Sequence, residues 1–338
     1  MRQLFGIHHV TAVTSSAQDI YKFFTFILGM RLVKKTVNQD DVKAYHLFFA
    51  DDAGNPGTDM TFFHFPGVRK ARHGTNEIYR TSFRVADDES LSYWEKRLTH
   101  YQIKHEPIKT ILGRKFLFFQ DFDEQLYALV SDENVPGIAS GVAWKKGPVP
   151  DEYAILGLGP IFLRVSHLDI MQDRLVNHLG MRFLRKEENL SLFEMGEGGN
   201  GGAVIVDFQR LMPQAQPGFG TVHHVAFRIP DQDTLHEWRI YFNEKKIANS
   251  GYVNRFYFES LYSRVYPNIL FEFATDGPGF IDDEESYEQL GETLALPPHL
   301  RNRRELIERM IVPLDTRRAH LKLEKEYFPN VEKKPYQA

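Results

Sequence analysis

An internal repeat fixes the order of secondary structure along this chain. At a constant offset of 144 residues, 83–85 matches 227–229, Trp94 matches Trp238, and 126–132 matches 270–276. An offset held through a predicted strand, a helix and a later strand indicates a duplicated supersecondary unit. Because one such unit cannot bury its own apolar face, the repeat predicts a fold in which several copies pack together.

Two further segments follow the same order, which is strand, helix and three strands. The first unit covers about 4–66, and its helix shows an apolar stripe at helical spacing. The residues of that stripe are Ile20, Phe23, Phe24 and Ile27. The third unit opens at 159–165, and the end of its helix, 178–183, echoes 27–32. With the units at about 76–132 and 220–276, the chain therefore contains four βαβββ units.

A stretch rich in Gly and Pro separates the units into two pairs and indicates a linker. We therefore predict an α+β fold of four βαβββ modules in two tandem domains, each a mixed curved sheet flanked by helices. The predicted boundaries are 1–135 for the N-terminal domain (modules 1 and 2), 136–152 for the linker, 153–280 for the C-terminal domain (modules 3 and 4), and 281–338 for a helical extension.

The C-terminal extension is predicted to be helical in parts. Its acidic run, 282–285, suits the start of a solvated helix, where negative charge complements the helix dipole. The spacing of Leu306 and Met310 predicts a second helix over 301–311. That helix would pack over a domain or a partner subunit, which leaves a homo-oligomer open.

Composition excludes several kinds of site and partner. The chain has no cysteine, so any metal site must use His, carboxylate or water. A net charge of −4 and a pI of about 6.4 give no electrostatic basis for binding nucleic acid or an anionic membrane. No apolar run approaches the ~20 residues that span a bilayer, and the N-terminus lacks the apolar region of a signal peptide. A cytoplasmic protein is the default expectation.

Two histidine doublets lie in predicted strands near opposite ends of the chain. They are His8-His9 in unit 1 and His223-His224 in unit 4, and Glu272 lies in a third apolar strand. Neighbouring side chains of a strand point to opposite faces, so only one histidine of each doublet faces a given cavity. Since histidine is a frequent metal ligand, we assign His9, His224 and Glu272 to a metal site.

The repeat separates these ligands from the scaffold. At the offset of 144 residues His224 corresponds to Arg80 and Glu272 to Ala128, and His9 aligns roughly with Leu163. Units 2 and 3 thus keep the predicted fold without the ligands. Because the ligands come from units 1 and 4, those two units should meet in space.

Two imidazoles and one carboxylate on rigid strands form a facial triad, which leaves coordination positions open for substrate and O2. Without sulfur ligands, this set favours Fe(II) first, with Mn(II) or Zn(II) as alternatives. His64 is a further candidate, because 62–65 can be laid on 270–273 so that His64 matches Glu272. It could be a fourth ligand, a residue beside the open position, or a polar residue on the cavity wall.

The fourfold repeat and these ligand positions resemble the vicinal oxygen chelate superfamily of glyoxalases, bleomycin-resistance proteins and extradiol dioxygenases. Within it, nearly the whole chain resembles the hydroquinone ring-cleaving dioxygenases. The segments that carry the resemblance are 6–11, 45–49, 54–58, 61–63, 222–227, 255–272 and 296–300. The resemblance implies two glyoxalase-like domains and a metal-dependent enzyme that opens hydroquinone-type or catechol-type aromatic diols with O2. A small aromatic substrate and O2 are the implied partners.

The resemblance also implies roles for the residues next to the ligands. His8 and His223 would bind substrate hydroxyls and move protons. That role requires a bulge or twist at each doublet, because neighbours on one strand otherwise point apart. Thr11, two residues after His9, lies on the same strand face and could hydrogen-bond the substrate.

Three more residues match positions of that family. Arg255 and Tyr262 line its pocket, where the guanidinium could stabilise an anionic ring and the phenol could donate to it. His46 also matches, and we expect a hydrogen-bonded structural role for it.

Two other functions fit the same scaffold. A glyoxalase-like isomerase or thiol transferase would use a Zn, Ni or Mn site, and a fourth ligand at His64 would favour it. A protein that sequesters a small aromatic molecule, as bleomycin-resistance members do with their drug, would need no O2 chemistry. Oxygen uptake with a diphenol separates the dioxygenase from both.

Overall fold

The four predicted βαβββ modules are present in the computed structural model, which describes residues 2–281, 284–318 and 320–328. In modules 1 and 3 the helix continues into a π-helical segment. Module 1 comprises β1 (Ile7–Val13), α1 (Ala17–Lys22) with its π segment (Phe23–Ile27), β2 (Arg31–Val37), β3 (Tyr45–Ala50) and β4 (Asp59–His64). Module 2 comprises β5 (Glu77–Val85), α2 (Asp88–His100), β6 (Lys109–Ile111), β7 (Arg114–Gln120) and β8 (Leu126–Ser131).

The second half of the chain repeats this order. Module 3 comprises β9 (Leu158–Val165), α3 (Leu168–Asp173) with its π segment (Arg174–His178), β10 (Arg182–Glu187), β11 (Leu190–Glu194) and β12 (Ala203–Phe208). Module 4 comprises β13 (Thr221–Ile229), α4 (Gln232–Glu244), β14 (Val253–Asn254), β15 (Phe258–Tyr266) and β16 (Ile269–Pro278). One later helix, α5, is Arg304–Met310, and short 3-10 turns are Asp151–Tyr153, Asn200–Gly202, Tyr287–Gln289 and Pro298–Arg303.

The modules combine into two mixed eight-stranded sheets. The first sheet has the order β14-β15-β16-β13-β1-β4-β3-β2, and the second has the order β10-β11-β12-β9-β5-β8-β7-β6. At the centre of the first sheet, β1 pairs antiparallel with β13. Modules 1 and 4 therefore meet, as the ligand positions predicted.

Each sheet draws one module from either side of the predicted linker 136–152. The first strand of every module pairs in parallel with the last strand of the same module. The other edge of that first strand has no partner within the module. Module 4 occupies that edge in module 1, and module 3 occupies it in module 2. The two sheets thus do not coincide with the predicted segments 1–135 and 153–280, whose boundaries stay predictions.

Helices cover one face of the first sheet and leave the other face to strand side chains. The ring of Trp238 on α4 lies 4.9 Å from the ring of Phe273 on β16, and both residues are buried. Glu272 precedes Phe273 on the strand and points to the opposite face. That concave face is where the polar residues of units 1 and 4 come together.

The C-terminal extension is only partly helical and lies against module 1. Tyr45 on β3 donates a hydrogen bond of 2.7 Å to the carbonyl oxygen of Val312. In α5 the buried residue is Ile307, whereas Leu306, one of the two residues on which that helix was predicted, is half exposed. Asp282 and Asp283 of the predicted acidic helix start, and 329–338, lie outside the described residues. None of the described helices has the length and apolar character needed to cross a membrane.

Candidate metal centre

Each histidine doublet contains a β-bulge at the centre of the first sheet. The extra residue is His8 on β1 and His223 on β13. The flanking pairs in the register are Ile7–Phe227, His9–Ala226, Thr11–His224 and Ala12–Val222. A bulge re-aims the side chains around it, so the ring of each extra histidine comes within hydrogen-bonding distance of its neighbour. The bulge that a substrate-binding role of His8 and His223 requires is therefore present at each doublet.

His9, His224 and Glu272 point their donor atoms at one another. Nε2 of His9 and Nε2 of His224 are 3.2 Å apart, and Oε2 of Glu272 lies 3.1 Å from the first and 2.9 Å from the second. All three side chains are buried. Among the described residues, no other set of three His or acidic side chains brings its donor atoms close enough to share an ion. The structure thus brings the three predicted ligands together from modules 1 and 4.

The carboxylate of Glu272 has the environment of a metal ligand. Oε1 accepts a hydrogen bond from Ser260 Oγ, whereas the buried Oε2 has no hydrogen bond of good geometry within the described chain. Burial alone would raise the pKa of Glu272, but the imidazoles of His9 and His224 hold that pKa well below its usual range. A buried, ionised carboxylate with one oxygen facing two imidazole nitrogens fits a divalent cation.

The buried His8 fixes which nitrogen of His9 carries the proton. Nε2 of His8 lies 3.0 Å from the carbonyl oxygen of Thr275, which can only accept, so Nε2 is protonated. Burial and, next, the neighbouring His9 lower the pKa of His8 to about 3, so the ring is neutral and its Nδ1 accepts. Nδ1 of His9, 2.9 Å away, must then donate. Nε2 of His9 is left with a lone pair directed at the site.

His223 stands in the same relation to His224. Their Nδ1 atoms are 2.8 Å apart. If Nδ1 of His224 donates, its Nε2 is unprotonated toward Glu272, and the proton of a neutral His223 is on Nε2. His223 differs from His8 in being exposed and in lining the cavity. Of the two predicted substrate-binding histidines, only His223 therefore reaches the cavity.

The symmetry mate of Glu272 is Thr61, not His64. Glu272 pairs with Ala226, two residues after the ligand of β13, and Thr61 pairs with Thr11, two residues after the ligand of β1. The alignment that matched His64 with Glu272 is thus three residues out, because phenylalanines recur in both strands. His64 is half-buried and lies outside both the donor cluster and the cavity. A short threonine at the fourth corner leaves coordination positions open.

Modules 2 and 3 form an equivalent site without ligands. By the same register the positions of His9, His224, Glu272 and Thr61 are taken by Pro160, Arg80, Ala128 and Ile205. Arg80 and Ala128 agree with the sequence alignment, whereas the register places Pro160, and not the roughly aligned Leu163, at the position of His9. The guanidinium carbon of Arg80 lies 4.1 Å from the centre of the Phe118 ring. Aromatic packing therefore fills the second site.

A cavity of about 240 Å³ on the first sheet is lined by two of the three predicted ligands, His9 and His224. This volume is below the ~300–1,000 Å³ typical of ligand-binding cavities and suits a single ring. The aromatic side chains of its wall are Phe48, Phe63, Phe65, Tyr257, Phe258 and Tyr262. Apolar walls with a few convergent polar groups are typical of small-molecule sites.

Arg255 and Tyr262 lie on the cavity wall, the place that the resemblance implied for them. Nε of Arg255 donates to the hydroxyl oxygen of Tyr262 at 3.2 Å, and Nη2 donates to Asp40 at 3.1 Å. Burial raises the pKa of Tyr262 above its usual value, so the phenol keeps its proton. Because that oxygen already accepts from Arg255, its hydrogen is left for an acceptor in the cavity.

Thr11 lies on the ligand face of β1 but not on the cavity wall. Its side chain is fully buried, and its hydroxyl oxygen is 2.7 Å from that of Thr61. Thr61 on the neighbouring strand β4 thus engages the hydroxyl of Thr11, and Thr11 is not among the residues that line the cavity. The strand face predicted for Thr11 is correct, but a single sequence does not show which strand lies beside it.

Sequence reasoning missed Ser260, assigned mostly packing to Phe258 and expected only a structural role for His46. Ser260 holds Glu272 Oε1, and the ring of Phe258 packs 5.0 Å from the ring of His9. His46 lines the cavity with Nε2 2.9 Å from Thr61 Oγ1. Ser260 and Phe258 lie on β15 beside the strand of Glu272, and that adjacency was the available signal.

Ser260→Ala should weaken metal binding without removing a ligand. Loss of a residue that hydrogen-bonds a ligand typically costs 10–100-fold in metal affinity. We expect a loss of that order in competition with a chromogenic chelator. Ser263→Ala is the matched control, because Ser263 is a buried serine of the same strand that donates to the carbonyl oxygen of Ala248 instead. Equal affinities in the two variants would remove Ser260 from the account.

Comparison with known proteins agrees with this geometry. Residues 6–128 match the family model of the Glyoxalase/Bleomycin resistance protein/Dioxygenase superfamily. Over 314 residues the chain is 40% identical to MhqA of Bacillus subtilis (strain 168), named as a candidate ring-cleaving dioxygenase, with 91% of this chain and 98% of MhqA covered. The chain belongs to this superfamily, in the ring-cleaving dioxygenase family of MhqA. This chain is also 29% identical over 320 residues to the chlorohydroquinone/hydroquinone 1,2-dioxygenase of Sphingobium indicum, with 91% of this chain and 97% of that protein covered.

Solved structures give the same family and fold. A crystal structure of a candidate dioxygenase from Bacillus subtilis superposes with a TM-score of 0.85 at 32% identity and covers 94% of this chain and 99% of that one. Glyoxalase I from Zea mays superposes with a TM-score of 0.58 at 16% identity, covering 80% and 92%. The dioxygenase family member thus shares its βαβββ fold with glyoxalase I.

Proposed function

We propose that this chain is a metal-dependent dioxygenase that opens the ring of hydroquinone-type aromatic diols with O2. The observation that supports this most is the convergence of His9, His224 and Glu272 on one point beside a small aromatic cavity. The relatives named for ring cleavage and for hydroquinone agree with it. We propose Fe(II) as the ion, because this ligand set with open positions is typical of iron oxygenases. Mn(II) and Zn(II) suit the same donors.

The three ligands leave one side of the ion to substrate and O2. Nε2 of His9, Nε2 of His224 and Oε2 of Glu272 would hold it, and Thr61 at the fourth corner is too short to close the site. When bound, Fe(II) supplies a common binding point for the ring oxygen and O2 and a route for electrons between them.

The residues around the ligands bind, orient and protonate. His8 uses both ring nitrogens within the protein, so we propose that it orients His9 and does not touch substrate. His223 presents Nε2–H to the cavity and can donate to an oxygen of the ring. Tyr262 offers its hydroxyl hydrogen, and the charge of Arg255 stabilises an anionic ring. Thr11 acts through Thr61.

The other functions lose support from the same geometry. A closed four-ligand site for a glyoxalase-like isomerase or thiol transferase would need His64, which lies away from the donors. Sequestration of an aromatic molecule does not require three buried ligands on a rigid sheet. The cytoplasmic location and a homo-oligomer stay predictions from the sequence.

Oxygen uptake by the Fe(II)-loaded protein tests the proposal. With 2-methylhydroquinone, after anaerobic loading, we expect uptake of one O2 per ring opened and loss of the aromatic absorbance. Metal-free protein controls for autoxidation of the diol. Tight stoichiometric binding of the diol without oxygen uptake would indicate a binding protein. Turnover of a hemithioacetal without oxygen uptake would indicate an isomerase.

A further inference from the structure

His46 is a polar side chain of the cavity wall that has no task in the proposed function. The strand order β13-β1-β4-β3 leads from His224 through His9 and Thr61 to His46. The hydroxyl oxygen of Thr61 bonds both to Thr11 and to His46 Nε2, so these side chains share the concave face. The short Thr61 leaves this direction open. A ligand held at the metal therefore extends toward His46.

The hydrogen bonds fix which nitrogen of His46 carries the proton. Thr11 is fully buried, and Thr61 is its hydrogen-bond partner in the described structure, so its hydroxyl hydrogen is satisfied when it donates to Thr61. Thr61 then donates to Nε2 of His46, 2.9 Å away. The reverse direction leaves a buried hydroxyl hydrogen without an acceptor, which is unfavourable. His46 is therefore protonated on Nδ1.

The ring of His46 is held rigidly with that nitrogen available. Its centroid lies 3.9 Å from the ring of Phe48 and 4.4 Å from the ring of Phe63. No hydrogen bond to Nδ1 is made by the residues that the structure describes, although the residue lines the cavity. Burial, followed by the nearby His9, lowers the pKa of His46 well below its usual value, so the ring is neutral. Nδ1–H is thus a donor without a hydrogen-bond partner among the described residues, on a ring that lines the cavity.

We infer that Nδ1–H of His46 donates to the second oxygen of a para-diol whose first oxygen is at the metal. This inference rests on the proposed function. The strand of His46, β3, lies two strands from β1, a separation of ~9.6 Å. The two oxygens of hydroquinone lie at opposite ends of one ring, so the ring carries the second oxygen from the metal across part of this separation. In catechol the two oxygens are adjacent, so both stay near the metal. His46 therefore selects para-diols over ortho-diols.

Binding rather than turnover tests this assignment. Dissociation constants of hydroquinone, catechol and phenol are measured anaerobically by calorimetry on the Fe(II)-loaded wild type, His46→Phe and His46→Gln. We expect His46→Phe to weaken hydroquinone about tenfold, which is the order of one lost hydrogen bond in a buried site. Binding of phenol and catechol, which lack a para oxygen, should stay unchanged. The amide N–H of His46→Gln should restore much of the loss.

The matched control is His64→Phe, on the neighbouring strand but outside the cavity. It should bind all three ligands as the wild type does. If His46→Phe weakens phenol as much as hydroquinone, or weakens neither, His46 does not read the second oxygen. Metal content shows that each variant is folded. A wild type that binds iron but none of the three ligands would contradict the proposed function as well, whereas a change confined to the variants concerns His46 alone.

Discussion

Glu272→Gln is expected to reduce the metal content from one ion per chain to near zero and to abolish oxygen uptake. Glutamine keeps the shape of the side chain and an oxygen for the hydrogen bond from Ser260, but it removes the negative charge. Its amide nitrogen would donate hydrogen bonds to the unprotonated Nε2 atoms of His9 and His224 and so occupy the lone pairs that would bind the metal. The loss of affinity should exceed the ~10–100-fold that loss of a supporting residue costs.

Glu259→Gln provides the control for that variant. Glu259 lies on β15 next to Ser260 and accepts a hydrogen bond of 2.8 Å from the hydroxyl of Tyr252, outside the cavity. It should bind metal and consume O2 as the wild type does. Metal content is measured by emission spectrometry after gel filtration. Full occupancy in Glu272→Gln would show that the ion lies elsewhere.

Removal of the metal is expected to stop oxygen uptake completely, and only a redox-active ion should restore it. The three donors suit several divalent ions, so Zn(II) should rebind. Zn(II) has no accessible redox change and can polarise a ligand but cannot carry electrons between ring and oxygen. After chelation under argon, Fe(II) should restore uptake with 2-methylhydroquinone, and Zn(II) should compete with it.

Rebinding is followed separately from activity so that the two steps are not confused. The free energy of unfolding should rise when either ion binds, because the ligands come from two modules that meet only in the folded chain. Equal uptake with Zn(II) and Fe(II) would contradict an electron-transfer role. Stabilisation by neither ion would contradict a bound metal.

The module order and the convergence of His9, His224 and Glu272 could be predicted from the sequence for a physical reason. Strands and helices of repeated units place equivalent residues at equivalent positions, so the substitution of His224 by Arg80 in module 2 marks the residues that the fold does not need. The ligands at the two ends of the chain also predicted the contact of modules 1 and 4, which the pairing of β1 with β13 confirms.

Other features depend on contacts between strands that a single sequence does not specify. The bulges at His8 and His223 come from the pairing of β1 with β13, and the hydrogen bond that engages Thr11 comes from Thr61 on β4. His64 was matched with Glu272 because similar apolar residues hide a shift of three positions, and only the register identifies Thr61. His46 was expected to have only a structural role. Its place beside Thr61 follows from the pairing of β4 with β3, which a single sequence does not specify.

The measurement that tests the metal centre most directly is a crystal structure of the Fe(II)-loaded chain with diffraction recorded on both sides of the iron absorption edge. We expect one anomalous peak, with Nε2 of His9, Nε2 of His224 and an oxygen of Glu272 each ~2.0–2.2 Å from it, the usual range for such ligands. An iron peak bound by other residues, or by fewer than these three, would contradict the account.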